Sequence, residues 1–126
     1  MQRLDADVAV ARQLAPEAMA EAAAAGFRSV VNNRPDFEGG PTQPTNASIE
    51  AAARAAGPEY AFLPVASNYQ SPEEIARFAE LIETLPKPIL VFCRSGARSG
   101  RLWQAARSAE RRRSSASREV RARARS

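Results

Sequence analysis

The sequence predicts an α/β domain: a three-layer arrangement with a mainly parallel central sheet of four to five strands and helices on both faces. Two observations carry this. Short apolar or β-branched runs alternate with helical patterns from Val8 to Trp103, and Gly or Pro punctuates the ends of the helices. A third observation places the core. Of 126 residues only 23 are Leu, Ile, Val or Phe, and all except Val120 lie before residue 103.

Val8 to Ala11 reads as the first strand. Pro16 suits a first helical position, and an Ala-rich run carries that helix to a stop at Gly26. Phe27 to Asn32 is short and β-branched, a buried strand, and the Pro- and Gly-dense segment from Asn33 to Asn46 is a loop. A second helix is expected from about Ala47 to Ala56, capped by Asn46 or Thr45 and ended by Gly57-Pro58. Tyr60 to Val65 is the next strand, with Pro64 ending its pairing. Ser71-Pro72-Glu73-Glu74 has the form of a capping box, and Ile75, Phe78, Ile82 and Leu85 then recur at helical spacing. Pro86 and Pro88 break that helix before the apolar strand Ile89 to Phe92, and Arg101-Leu102-Trp103 begins the last helical pattern, with Trp103 expected to pack it onto the sheet.

Charge divides the chain. The formal total is +4, yet residues 1–93 sum to −5 and residues 94–126 to +9, eleven Arg against Glu110 and Glu119. From Ala105 onward apolar periodicity is lost, so a catalytic domain is expected over 1–108 and a disordered Arg/Ser-rich tail over 109–126. Eight Arg in the last 22 residues would attract phosphate polymers. Without interleaved aromatics, and on an otherwise acidic chain, they favour nucleic-acid binding less than small-anion chemistry.

One cysteine and no histidine exclude an internal disulfide, a structural zinc site and a Cys–His nucleophile pair. No metal or other cofactor is expected. No apolar run has the length of a signal peptide or a membrane span, so a soluble, cytoplasmic protein without membrane contact is expected.

The chemistry points to one loop. Strand Ile89–Phe92 runs straight into Cys93-Arg94-Ser95-Gly96-Ala97-Arg98-Ser99-Gly100 and then a helix. In a parallel sheet this edge is where ligands bind. The N–H groups of residues 94–99 can converge on an anion, the helix N-terminus adds positive potential, and Arg98 offers a two-pronged contact. The same field favours the Cys93 thiolate. Cys93 and Arg98 are therefore the candidate catalytic pair, and Arg94, Ser95, Gly96, Ala97 and Ser99 the candidate substrate-binding residues. The competing reading is an inert buried thiol.

PILVFCRSGARS, GFRSVVNNRPD and the stretch from Gln43 to Val65 together resemble the phosphatase-like domain of the beta-lactamase hydrolase-like proteins, over roughly residues 3–108. The resemblance implies a fold like the dual-specificity tyrosine phosphatases. It also implies one of two activities, phosphatase-like or rhodanese-like sulfur transfer, with a persulfide dioxygenase as a possible partner because some members are fused to one.

Two departures from tyrosine phosphatases favour sulfur transfer. Phe92 stands where those enzymes typically carry His, and four residues rather than five separate Cys93 from Arg98, the spacing typical of rhodanese loops. The loop Ala66–Glu74 also lacks the Asp that phosphatases usually place there to protonate a leaving alkoxide. Sulfane-sulfur transfer needs no such acid, because a thiolate or sulfite leaves unprotonated. The expected function is thus a sulfurtransferase working through a Cys93 persulfide on a small anionic sulfur donor. The alternative is a phosphatase working through a Cys93 phosphocysteine on a phosphate ester. A non-catalytic anion binder is the third reading.

Arg34 and Asp36 of NNRPD follow a strand and so lie at the same sheet edge, where Arg34 could add an anion contact and Asp36 could replace the missing acid. The competing reading of Asp36 is a turn in which Pro35 fixes φ and Asp36 bonds its own backbone. Tyr60 and Tyr69 could select substrate, although half-buried packing is the commoner use of Tyr.

Overall fold

Five short strands form one sheet in the computed structural model, which describes residues 1–125. They are β1 (Gln2–Arg3), β2 (Val8–Ala11), β3 (Ser29–Asn32), β4 (Glu59–Phe62) and β5 (Ile89–Phe92), in the order β1-β2-β5-β3-β4. β1 runs antiparallel to β2, and every other pairing is parallel. β5 lies between β2 and β3 with all four residues buried, the environment that its unbroken apolar run requires. β1 escapes sequence reading because two residues carry no period. It forms where Asp5 turns the chain, its carboxylate accepting the N–H groups of Asp7 and Val8.

Alternation along the strands divides the core in two. Val8, Val10, Val31, Ile89 and Val91 face Phe78 and Leu81 of α3 (Pro72–Thr84) together with Leu102 and Ala106 of α4 (Ala97–Arg125). On the opposite face Ala9, Ala11, Val30, Leu90 and Phe92 meet Met19 and Ala22 of α1 (Ala18–Ala24) and Ile49 and Ala53 of α2 (Asn46–Ala56). Three layers result. Phe78 is fully buried in the first cluster, a site where Phe is worth roughly 3–5 kcal/mol against Ala. Trp103 packs against the same cluster, as its spacing predicts.

The predicted signals set most helix ends. Ser71 and Glu74 make a reciprocal capping box on α3, and Thr45, not Asn46, caps α2 by accepting the Ser48 N–H. Gly57 ends α2 at φ 117°, a left-handed conformation suited to Gly. Pro16 and Glu17 form a turn ahead of α1 and not its first residues.

The largest difference is α4. It begins at Ala97 inside the cysteine loop, four residues before the predicted start, and it remains helical to Arg125 across the segment where composition predicts a disordered tail. Ser126 lies outside the described residues. Apolar periodicity reports packing, and Ala106 is the last residue in a core cluster. Beyond it, a segment rich in Ala and Arg has high helix propensity without a buried face. Among the described residues no helix is long and apolar enough to cross a membrane.

The parallel strands end at one edge, and backbone bonds carry their order into the loops. Asn33 N–H donates to the Phe92 carbonyl, Val65 N–H to that of Asn33, and Cys93 N–H to that of Ala11.

Candidate functional site

Cys93 is the first residue past β5 and is 1% exposed. Its backbone hangs on β2 through Ala11, and the next carbonyl, of Arg94, accepts the Gln13 N–H. The loop then reverses at Gly96, whose φ of 94° explains the glycine there. α4 starts at once, and the Gly100 N–H already bonds the Gly96 carbonyl.

This tight reversal turns amide donors toward sulfur. The Gly96 N–H donates to Cys93 Sγ at 3.0 Å. Burial by itself pushes the Cys93 thiol up. The N–H and hydroxyl of Ser99, with the N–H groups of Gly96 and Ser95, outweigh it and hold the pKa below the ordinary thiol value. The site thus stabilises a thiolate chiefly with neutral N–H and O–H dipoles.

Ser99 has one hydroxyl proton and two acceptors. It donates to Asn33 Oδ1 at 2.9 Å, yet it also stands close enough to Cys93 to lower the thiol pKa. A full negative charge on sulfur is a stronger acceptor than the Asn33 amide oxygen, so the hydroxyl is able to serve either partner. Asn33 is fully buried, with its Nδ2 donating to the Leu63 carbonyl at 2.9 Å, which fixes its oxygen toward Ser99.

Arg98 is 4% exposed and held at two nitrogens. Nη1 donates to the Val65 carbonyl at 3.1 Å and Nη2 to Glu38 Oε1 at 3.0 Å. Its Nε is buried without a partner. Such a donor costs free energy unless a ligand meets it.

Of the other predicted residues, Arg34 joins the cluster. It is 9% exposed and donates from Nε to the same Glu38 oxygen at 2.9 Å and from Nη1 to Gln13 at 3.1 Å. Asp36 does not join: it accepts the Asn46 N–H at 2.7 Å, ten residues on, and so ties its loop to the start of α2 instead of bonding its own turn. Ser95 contributes its N–H to the sulfur, while the Ala97 N–H turns to the Ser95 hydroxyl at 3.3 Å. Arg94 is exposed, and Arg101 reaches the Ser67 carbonyl. Tyr60 braces Asn32 and Asn46 through its hydroxyl, and burial pushes its pKa up to about 12. Tyr69 is exposed. Among the described residues no group of three or more His, Cys, Asp or Glu could hold a metal ion.

Sequence reasoning missed Glu38 and Asn33. Glu38 lies two residues beyond NNRPD in a loop whose path no periodicity encodes. Asn33 was readable as a strand-end residue but not as the partner of Ser99, 66 positions away.

Residues 1–110 match the family model described as the phosphatase-like domain of beta-lactamase hydrolase-like protein. The chain is 42% identical over 78 residues to the beta-lactamase hydrolase-like protein of Xylella fastidiosa, and 36% over 80 residues to that of Agrobacterium fabrum. These matches cover 62% and 64% of this chain but only 18% of each relative, so the chain spans under a fifth of their length. Among solved structures, a candidate phosphatase from Neisseria meningitidis Z2491 superposes with a TM-score of 0.78 at 29% identity, over 86% of this chain and 77% of that one. Tk-PTP in its active form shares the fold at a TM-score of 0.60 and 24% identity, over 75% and 62% of the two chains. The expected tyrosine-phosphatase-like fold is therefore present. Sulfur transfer, the activity expected from the loop spacing, finds no support among these relatives, which favour the phosphatase-like alternative.

Proposed function

Because the chain belongs to the family of beta-lactamase hydrolase-like proteins, phosphatase-like domain, we propose that it is a cysteine-dependent hydrolase of phosphate monoesters. The observation that carries this reading is the pairing, on one loop, of a sulfur ringed by N–H groups with a buried guanidinium, that of Arg98, whose Nε has no partner. The Cys93 thiolate attacks phosphorus, an S–P bond forms, and the ester P–O bond breaks with its electron pair on the leaving oxygen. Arg98 and the loop amides hold the equatorial oxygens, where charge spreads in the transition state. Water then attacks the phosphocysteine, the S–P bond breaks, and phosphate leaves. The Ser99 hydroxyl turns from Asn33 to the departing thiolate and stabilises it.

Asp36 is engaged with α2, so the leaving oxygen takes its proton from water. Aryl phosphates, with weakly basic leaving groups, are the favoured substrates over alkyl phosphates. A free thiol nucleophile suits a reducing compartment, so we place the protein in the cytoplasm.

The four-residue spacing from Cys93 to Arg98 favours a second reading. In it the thiolate attacks the outer sulfur of thiosulfate, and a new S–S bond forms as the thiosulfate S–S bond breaks and sulfite leaves. An acceptor thiolate then takes the outer sulfur of the Cys93 persulfide, freeing the Cys93 thiolate and giving the persulfide that a dioxygenase would consume. One experiment separates the two. Hydrolysis of an aryl phosphate that is lost in Cys93→Ser supports the first, whereas thiocyanate formed from thiosulfate and cyanide, without ester hydrolysis, replaces it with the second.

A further inference from the structure

Two guanidinium groups, those of Arg34 and Arg98, are buried side by side at this sheet edge. Each loses its hydration and repels the other, so the pair exists only where an anion is supplied. Glu38 supplies it, a single oxygen accepting from Arg34 Nε at 2.9 Å and from Arg98 Nη2 at 3.0 Å. Burial pushes the Glu38 carboxyl up, and the hydrogen bonds and charges of the two arginines overcome this and keep it below the usual carboxylate range.

A carboxylate standing in for substrate would take Nε and Nη2 of Arg98 together in a two-pronged pair. Glu38 does not: it takes Nη2 alone, the Val65 carbonyl takes Nη1, and Nε is left open. The backbone beside it is bent to the purpose. Phe37 sits at φ 64° and is 69% exposed, a costly conformation for a bulky residue that the loop retains. Arg34 is itself braced by Gln13 and by the missing side chain of Gly39, where a Cβ would stand 2.7 Å from Arg34 Nη2.

We propose that Glu38 is a positioning residue that locks Arg34 and Arg98 as a pair, presents the Nε edge of Arg98 to the oxyanion over Cys93, and remains in place throughout turnover. This rests on the phosphate-ester reading of the site. Gln13, Arg34, Glu38 and Arg98 then form one line of contacts from the loop after β2 to the first turn of α4.

The test uses the full chain and three variants, Glu38→Gln, Glu38→Ala and Gly39→Ala. Aryl phosphate hydrolysis, inhibition by vanadate, and alkylation of Cys93 by iodoacetamide with and without inorganic phosphate are measured. Both Glu38 variants should lose at least about tenfold in kcat and in vanadate affinity, because two buried guanidinium groups have lost the anion they share. The rate of Cys93 alkylation in the absence of phosphate should stay near wild type, and protection by phosphate should weaken, a split that general loss of structure does not produce. Gly39 is exposed, so Gly39→Ala tests the same line without emptying the cluster, and a loss of about threefold in vanadate affinity is expected. Glu38→Gln and Gly39→Ala that bind vanadate as well as wild type, or more tightly, overturn the inference alone. Wild-type protein that neither hydrolyses the ester nor is protected by phosphate overturns the functional reading first, and this inference with it.

Discussion

Arginine is concentrated in two regions of this chain, the cysteine loop and the far end of α4, and the physical state of the side chains is opposite in the two. Arg98 is buried, bonded to a backbone carbonyl and a carboxylate, with one donor open. Arg111, Arg112, Arg113, Arg118, Arg121 and Arg123 are exposed on a helix that enters no core cluster past Ala106. Solvent and salt screen the second group, so each charge there is worth little to its neighbours. In the first group desolvation makes every partner count. The +4 total is dominated by the region with the weaker local effect.

The sharpest break of this comparison is at the sulfur. Cys93→Ser should lower hydrolysis by roughly 10⁴-fold or more, because a hydroxyl in this cradle is not ionised at neutral pH. Steady-state rates on an aryl phosphate measure it, and circular dichroism should show an intact fold. Retained activity would mean that the chemistry lies elsewhere.

Next comes a direct contest between the two groups of arginines. Arg98→Lys should cost about 10²–10³ in kcat, since one ammonium cannot hold the Val65 carbonyl and Glu38 and also offer a further donor to the substrate. Arg118→Lys should change kcat less than about twofold. Equal effects would erase the distinction drawn here.

Much of this was legible in the sequence, and what was not has a physical cause. Alternating apolar runs gave the parallel strands, and the capping residues of α3 gave its first turn, because both signals are local. The cysteine loop was legible since strand, nucleophile, glycine and arginine are contiguous. Glu38 reaches Arg98 across 60 positions, and Asn33 reaches Ser99 across 66, through contacts that only the sheet creates. The number of residues between Cys93 and Arg98 points to sulfur transfer, whereas the relatives favour the phosphatase-like alternative. Loop spacing constrains the shape of an anion cradle more than the identity of the central atom that the anion carries.

A smaller effect sharpens the account of the loop itself. Ser99→Ala removes a hydroxyl that lowers the Cys93 pKa, and leaves the backbone N–H groups of Ser99, Gly96 and Ser95 in place. The Cys93 pKa should therefore rise part of the way toward the ordinary thiol value. In iodoacetamide alkylation against pH the rising limb should move to higher pH, with the reaction slowed below the limb and converging with wild type above it, where the thiolate forms in either protein. An unshifted limb would assign the whole depression to the backbone amides.

The smallest expected effect tests the other region. Deleting residues 111–126 removes the helix past the family match, which ends at residue 110, and no core cluster loses a member. The deletion takes away seven Arg and Glu119, a drop of six in net charge. If long-range attraction from these charges fed substrate to Cys93, kcat/KM would fall on deletion, and the fall would vanish as salt shortens the Debye length from ~10 Å at 0.1 M to ~3 Å at 1 M. The burial pattern argues otherwise: the donors that meet the oxyanion are fixed inside the fold, and a screened surface helix adds little to them. We expect kcat/KM to change less than about twofold at 0.15 M salt, with only retention on a polyanion resin reduced. A salt-dependent loss of kcat/KM would instead make the two arginine regions one electrostatic unit.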